Sequence, residues 1–331
     1  MVLHPAVVRG TSLAIGISVI PALATAATTH VRVQAPVANY AARSSGGFMS
    51  PEGANRKSSV VFVSDGINNA VYVYPAMHID AAPIGEITAG IDSPAGLAVD
   101  SNGVLYVANT NSSTRSEYEP GATQPFLTIK RGVANPVALA VSADGTLVVA
   151  SGVTYEQPGK LAIYAKGSKV PTRQITVPLD GAYYMLMGGV AIDASDNIYL
   201  SYTTEYPDTK AQVVEYPANS SKAVSTGIQG GATGLALDSR GNLYVGFPTS
   251  IEVFAKGSLQ PSTTITAGLT NVGLFTVTSS RVLYVPNQET SSGCQLEDGN
   301  ITAFSRGHAP MGSGSSGLVD PLGMAFRPGS E

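Results

Sequence analysis

Two short apolar runs, Leu97–Val99 and Leu105–Ala108, flank the polar stretch Asp100-Ser101-Asn102-Gly103. Asn-Gly between β-rich runs predicts a hairpin, because both residues tolerate positive φ. The pattern recurs at intervals of roughly 40–50 residues, the size of a four-stranded propeller blade. Its first run returns as Leu139-Ala140-Val141, Val190-Ala191-Ile192, Leu235-Ala236-Leu237, Phe275-Thr276-Val277 and Met324-Ala325-Phe326. Its second run returns as Leu147-Val148-Val149, Ile198-Tyr199-Leu200, Leu243-Tyr244-Val245 and Leu283-Tyr284-Val285. The turns between them carry Asp144-Gly145, Asp196-Asn197 and Arg240-Gly241.

A third run ends in an aromatic residue: Tyr74, Tyr164, Tyr216, Phe254 and Phe304, with Tyr118 as a degenerate member. A weaker fourth run follows a proline in several units, as in Ile84–Thr88, Phe126–Ile129, Thr172–Val177 and Ser262–Thr266. Proline at a strand start suits an edge strand, so the fourth run is placed outermost. The pattern predicts an all-β chain of four-stranded antiparallel blades. The count comes from the ends. Val60–Val63 reads as a second strand without a first, and Met324–Phe326 as a first strand without partners. If they pair, five complete blades and one composite blade form a six-bladed β-propeller, closed by N-terminal strands pairing with the C-terminal strand. Small residues at the middle of the first strands (Ala98, Ala140, Ala191, Ala236, Ala325) suit the crowded centre. Gly312–Gly317 reads as a loop that replaces the fourth strand of the last complete blade.

Composition agrees with this fold. Only 13% of residues are charged, and the 36 Gly and 21 Pro supply the turns. Net charge is −4 with no basic stripe along the sequence, which argues against nucleic acid as a partner. At the N-terminus, Arg9, an apolar stretch from Ser12 to Ala24 and the small residues Ala24-Thr25-Ala26 read as a signal peptide over residues 1–26. The apolar stretch is too short for a span of about 20 residues. The protein is therefore expected to be secreted or periplasmic, with no membrane insertion after cleavage; a retained anchor is the alternative. Residues 27–57 read as a flexible tail and 58–331 as the propeller. A single cysteine, Cys294, permits no intrachain disulfide.

The repeat resembles the NHL-type six-bladed propeller, a relation that reaches the gluconolactonase and senescence-marker family, over about Ser58 to Pro328. That resemblance implies a site at the mouth of the central channel, ringed by the residues that end the second strands: Asp65, Asn109, Ser151, Tyr202 and Asn287. The same residues also suit a role as turn residues that cap strands. In the family a divalent cation such as calcium is held there by carboxylate and amide oxygens, which hard cations prefer. Asp65 and Asn109 would supply two ligands, with Glu205 or Glu289 from loops. The sequence departs from the family, since only Asp65 keeps the aspartate common at that position. It also lacks the Trp common in streptogramin-lyase-like propellers.

Other chemistry is sparse. There are four His. Of these, His78 and His308 occupy equivalent positions in adjacent blades, at outer loops, too far apart to share an ion. Neither a Ser-His-Asp triad nor a Cys-His pair is credible. Asp100, Asp193 and Asp238 lie in the repeated hairpin turn, where a carboxylate accepts amide hydrogens. The longest loops, Pro286–Gly299 and Pro178–Gly188, share the channel-mouth face, and function tends to lie on such loops. The first reading is therefore a binding module without a cofactor, taking a protein, peptide or glycan on its loop face. The second is a metal-dependent lactonase-like hydrolase.

Overall fold

The computed structural model describes residues 46–155, 158–205, 209–229, 233–288, 290–292 and 295–330. The stretch read as a signal peptide, residues 27–45 of the expected tail, Glu289 and Cys294 lie outside the described residues. Every repeat forms an antiparallel sheet, and six such sheets are arranged as a propeller. The innermost strands are Pro94–Val99, Pro136–Val141, Tyr184–Ile192, Leu235–Leu237, Thr276–Val277 and Pro321–Arg327. Each touches the next, and the last touches the first, so they form a closed ring.

Closure occurs where the sequence places it. Val60–Asp65 pairs with Pro321–Arg327, in the register Val60↔Arg327 through Val63↔Met324. Beyond the sheet, the buried Arg327 donates through Nη2 to the carbonyls of Gly53 and Asn55, both at 3.0 Å. The C-terminal strand thereby also holds the entering N-terminal segment.

Strand alternation explains the near-continuous apolar runs. Val61 and Val63 face the last complete blade and pack with Tyr284 and Ile301. Val60 and Phe62 face the second blade and pack with Leu105 and Val107. Both faces of a blade are buried against neighbours, so the core is a set of interlayers rather than one centre. Each fully buried aliphatic side chain contributes about 1.5–3 kcal/mol.

The crowding at the axis goes further than small side chains. A Cβ on Gly323 would lie 2.4 Å from the carbonyl oxygen of Ala95, and one on Gly189 would lie 2.1 Å from the Leu235 nitrogen. Neither could exist without moving backbone. The hairpin turns form as read. Asp100 Oδ1 accepts from the amides of Asn102 and Val104, and Asp193 and Asp238 repeat both bonds in their own turns.

Two expectations need correction. Gly312–Gly317 is not wholly a loop: Pro310–Gly314 is the outer strand of its blade, paired with Asn300–Phe304. Edge pairing uses the backbone, so a strand poor in β-formers still joins. The end of the expected tail is also ordered. Gly47–Met49 adds a fifth strand outside Gly85–Ile87, and a short helix, Pro51–Ala54, follows. The degenerate third strand, Thr114–Tyr118, forms as read, and it is buried despite its polarity. Arg115 pairs with Glu117, donates to the Ser168 carbonyl and lies over the Tyr164 ring, 4.5 Å from its centroid.

Candidate binding face

The links between blades share one face with the loops from second to third strand, and they repeat as closely as the strands do. Gly90-Ile91, Gly132-Val133, Gly268-Leu269 and Gly317-Leu318 are equivalent pairs. All four glycines have positive φ, from 68° to 83°. The following aliphatic residue is buried at 2–8% exposure and plugs the gap between blades.

Three predicted site residues hold these links. Asn109 Oδ1 accepts from the Asp92 amide, while Nδ2 donates to the Gly90 carbonyl and to the Thr114 and Ser116 hydroxyls. Asn287 repeats this, accepting from the Thr270 amide and donating to Asn300 Oδ1 and Thr302 Oγ1. Asp65 occupies the same position with the opposite chemistry. Its two oxygens accept from the amides of Asn68, Val319 and Asp320 and from Asn68 Nδ2. Burial pushes its carboxyl above the ordinary carboxylate value, and these N–H bonds oppose that rise without cancelling it.

Ser151 and Tyr202 stand at the same ring position and do not reach a link. Ser151 is buried with an unpartnered hydroxyl. The Tyr202 hydroxyl accepts from Gln212 Nε2 at 2.6 Å. Burial, and then the charge of Asp180, raise its pKa. The five residues thus lie on one face, and all but Ser151 are engaged within their own blade or link. Among the described residues no hydrogen bond joins any two of them.

Asp65 and Asn109 are not placed to share a divalent cation, and Glu289, one of the further ligands expected, lies outside the described residues. The Asp65 oxygens and Asn109 Oδ1 are spent on amide hydrogens, and Asp65 and Asn109 belong to different blades. Among the described residues no group of three or more His, Cys, Asp or Glu side chains converges as metal ligands would. His308 bonds the Tyr244 hydroxyl through Nε2 at 3.2 Å.

What distinguishes the face is relief. In the fourth blade the first and second strands run to 9 and 8 residues, where the second strands of the other blades have 5 or 6. Their extra length extends the sheet on this face, through Met185↔Thr204 and Leu186↔Thr203, and the third strand follows it through Thr203↔Ala211 and Thr204↔Lys210. Val153–Tyr155 leaves the third blade and pairs with this extension, making a fifth strand. The connections from second to third strand in the third and fourth blades are therefore partly sheet themselves. Over the last blade, Thr290–Ser292 and Gln295–Glu297 form a separate hairpin. The sequence signalled length there but not the strand exchange, which depends on a neighbour far along the chain. At the rim between the last and composite blades, a polar cleft of about 470 Å3 is lined by Asp80, Asp298, Asn300, Ser313, Ser315 and Ser316.

No family model matches the chain, and no curated protein matches it. Solved structures do. A chain of a nidogen/laminin complex is similar at 14% identity and a TM-score of 0.60, over 82% of this chain and all of that one. A Bacteroides caccae protein of unknown function is similar at 10% identity and a TM-score of 0.59, over 81% and 98%. A functionally unknown protein from Desulfotomaculum acetoxidans gives 13% and 0.55, over 82% and 100%. At such identities the likeness establishes the β-propeller fold.

Proposed function

We propose that the chain is an exported, NHL-like propeller that binds a protein or peptide on the link-and-loop face, a glycan being the alternative ligand. The observation that carries this reading is the raised five-stranded sheet of the fourth blade. Strand extension and strand exchange give a rigid projection, and rigid projections on a stable ring make binding surfaces. The nidogen/laminin structure, in which a similar propeller belongs to a protein complex, supports the same class of function.

Tyr183 is half exposed at the outer end of the projection, where its amide donates to the Glu205 carbonyl, and is the natural probe. A photo-crosslinking residue at position 183 should trap a discrete partner from the native exported fraction. One at Leu259, on the opposite face, should not trap that partner. The trapped partner, purified, should bind the wild-type chain and bind Tyr183→Ala at least tenfold more weakly. No discrete adduct at position 183 would remove this reading. A melting temperature raised by calcium, with the rise abolished in Asp65→Ala, would replace it with the lactonase reading.

A further inference from the structure

Nine large hydrophobic residues are exposed among the described residues, and six of them repeat, one per blade. Met77, Phe126, Val170, Val224, Leu259 and Met311 all lie in or beside the turn that joins third and fourth strands. That turn is on the face opposite the links, so the antiparallel topology sets all six around one rim. Their exposure ranges from 41% to 68%.

Cations gather on the same rim. The third-to-fourth-strand turns of the third to sixth blades carry Lys166, Lys169, Lys222, Lys256 and Arg306 and no carboxylate. All five are exposed. The stems of Lys166 and Lys256 lie across Gly145 and Gly241 in the adjacent hairpin turns, which directs the ammonium groups along this face. Those hairpin turns add Arg240 and Arg281 against Asp144, Asp193, Asp196 and Asp238. Three of these four carboxylates accept amide hydrogens within their own turn. Over the third to sixth blades this face therefore carries seven cations against four carboxylates, on a chain whose net charge is −4, while the turns of the first and second blades carry Asp80, Asp100 and Glu119. No stripe shows in the sequence because its members recur one blade apart.

From this pairing we propose that the rim docks peripherally on an anionic lipid surface. The apolar tips would enter the headgroup boundary, and the lysines would face lipid phosphates. A soluble polyanion would account for the lysines alone. It would give no role to Val170, Leu259 and Met311, which lie in or beside the same turns. A ring rim is also flat on the scale of a bilayer, so several blades can touch at once.

The test is cosedimentation of the whole chain with phosphatidylcholine vesicles, with and without a third of phosphatidylglycerol. Wild type should partition onto the anionic vesicles only, and 0.5 M salt should release it. Lys166→Glu/Lys169→Glu/Lys222→Glu/Lys256→Glu should lower partitioning more than a hundredfold, at about fivefold or more per charge. Val170→Ser/Leu259→Ser/Met311→Ser should lower it about tenfold or more with all charges intact. Lys130→Glu/Arg131→Glu, on the opposite face, should leave it unchanged. Equal partitioning onto neutral and anionic vesicles, or none, overturns the proposal. So does an apolar variant that binds as wild type does, which would mark a polyanion site. The salt and lipid comparisons use wild type alone, so they stand even where a variant fails to fold.

Discussion

The ring has two unlike halves. In the sixth, first and second blades the second strand ends in Asn287, Asp65 or Asn109, and each side chain binds the neighbouring link. In the third, fourth and fifth blades the same position holds Ser151, Tyr202 and Phe247, and the first two make no hydrogen bond to a link. The pinned half bears only the hairpin of its sixth blade. The unpinned half carries the longest strands and the exchanged strand. One fold position can close a link with a side chain, or be released so that the sheet above it grows. Where it closes a link, the residue type follows the surrounding donors. Asp65 faces N–H groups alone, whereas Asn109 and Asn287 must both accept and donate.

The largest break in this comparison comes from emptying a pin. Asp65→Ala or Asn109→Ala leaves buried link amides without acceptors and should cost about 3 kcal/mol. Ser151→Ala should cost nothing measurable, because its hydroxyl has no partner. Urea unfolding of the three variants checks this, and equal losses would erase the distinction. Next in size, Ser151→Asn should install the missing pin against the link at Gly132 and Ala134. The expected gain is about 1 kcal/mol in the same assay.

The third-strand tyrosines hold links along a different arc, from the first blade to the third. Tyr74, Tyr118 and Tyr164 donate their hydroxyls to the link carbonyls of Ser316, Ala89 and Arg131. The equivalent Tyr216 hydroxyl is buried without a partner, and burial pushes its pKa up to about 12. Tyr118→Phe should cost about 1 kcal/mol, and Tyr216→Phe should be neutral or slightly stabilising. The smallest effect is that of pH. Burial raises the Asp65 carboxyl, so the fold favours its protonated form relative to the unfolded chain. That contribution is complete below the unfolded value of about 4 and is lost as pH rises through the higher folded value. Unfolding from pH 4 to 7 should therefore show wild type losing stability relative to Asp65→Asn; a relative gain would contradict the burial argument.

Much of this was legible in the sequence. The repeat, the blade count and the shared blade follow from apolar runs such as Leu97–Val99 and from the unmatched runs at Val60 and Met324. Two regular signals were present and unread. One is glycine before the first run, at Gly96, Gly189, Gly234 and Gly323. The other is the Gly-aliphatic pair of the links. Both serve contacts between backbones of different blades, which hydrophobic periodicity within a blade does not report. Val153–Tyr155 could not be placed, because the edge it joins lies on another blade. The site residues were found at the right ring position. Their partners, link amides far along the chain, became visible only once the ring was built.

The composite blade also sets an order of events. Ser64 binds Gly323 across 259 residues of chain, so one edge of Val60–Asp65 has no partner until the end of the chain is available. A chain emerging from its N-terminus can assemble the five complete blades first, but the seam must wait for Pro321–Arg327. Until then the first blade presents an open strand edge, and any factor that shields nascent chains would find its work there.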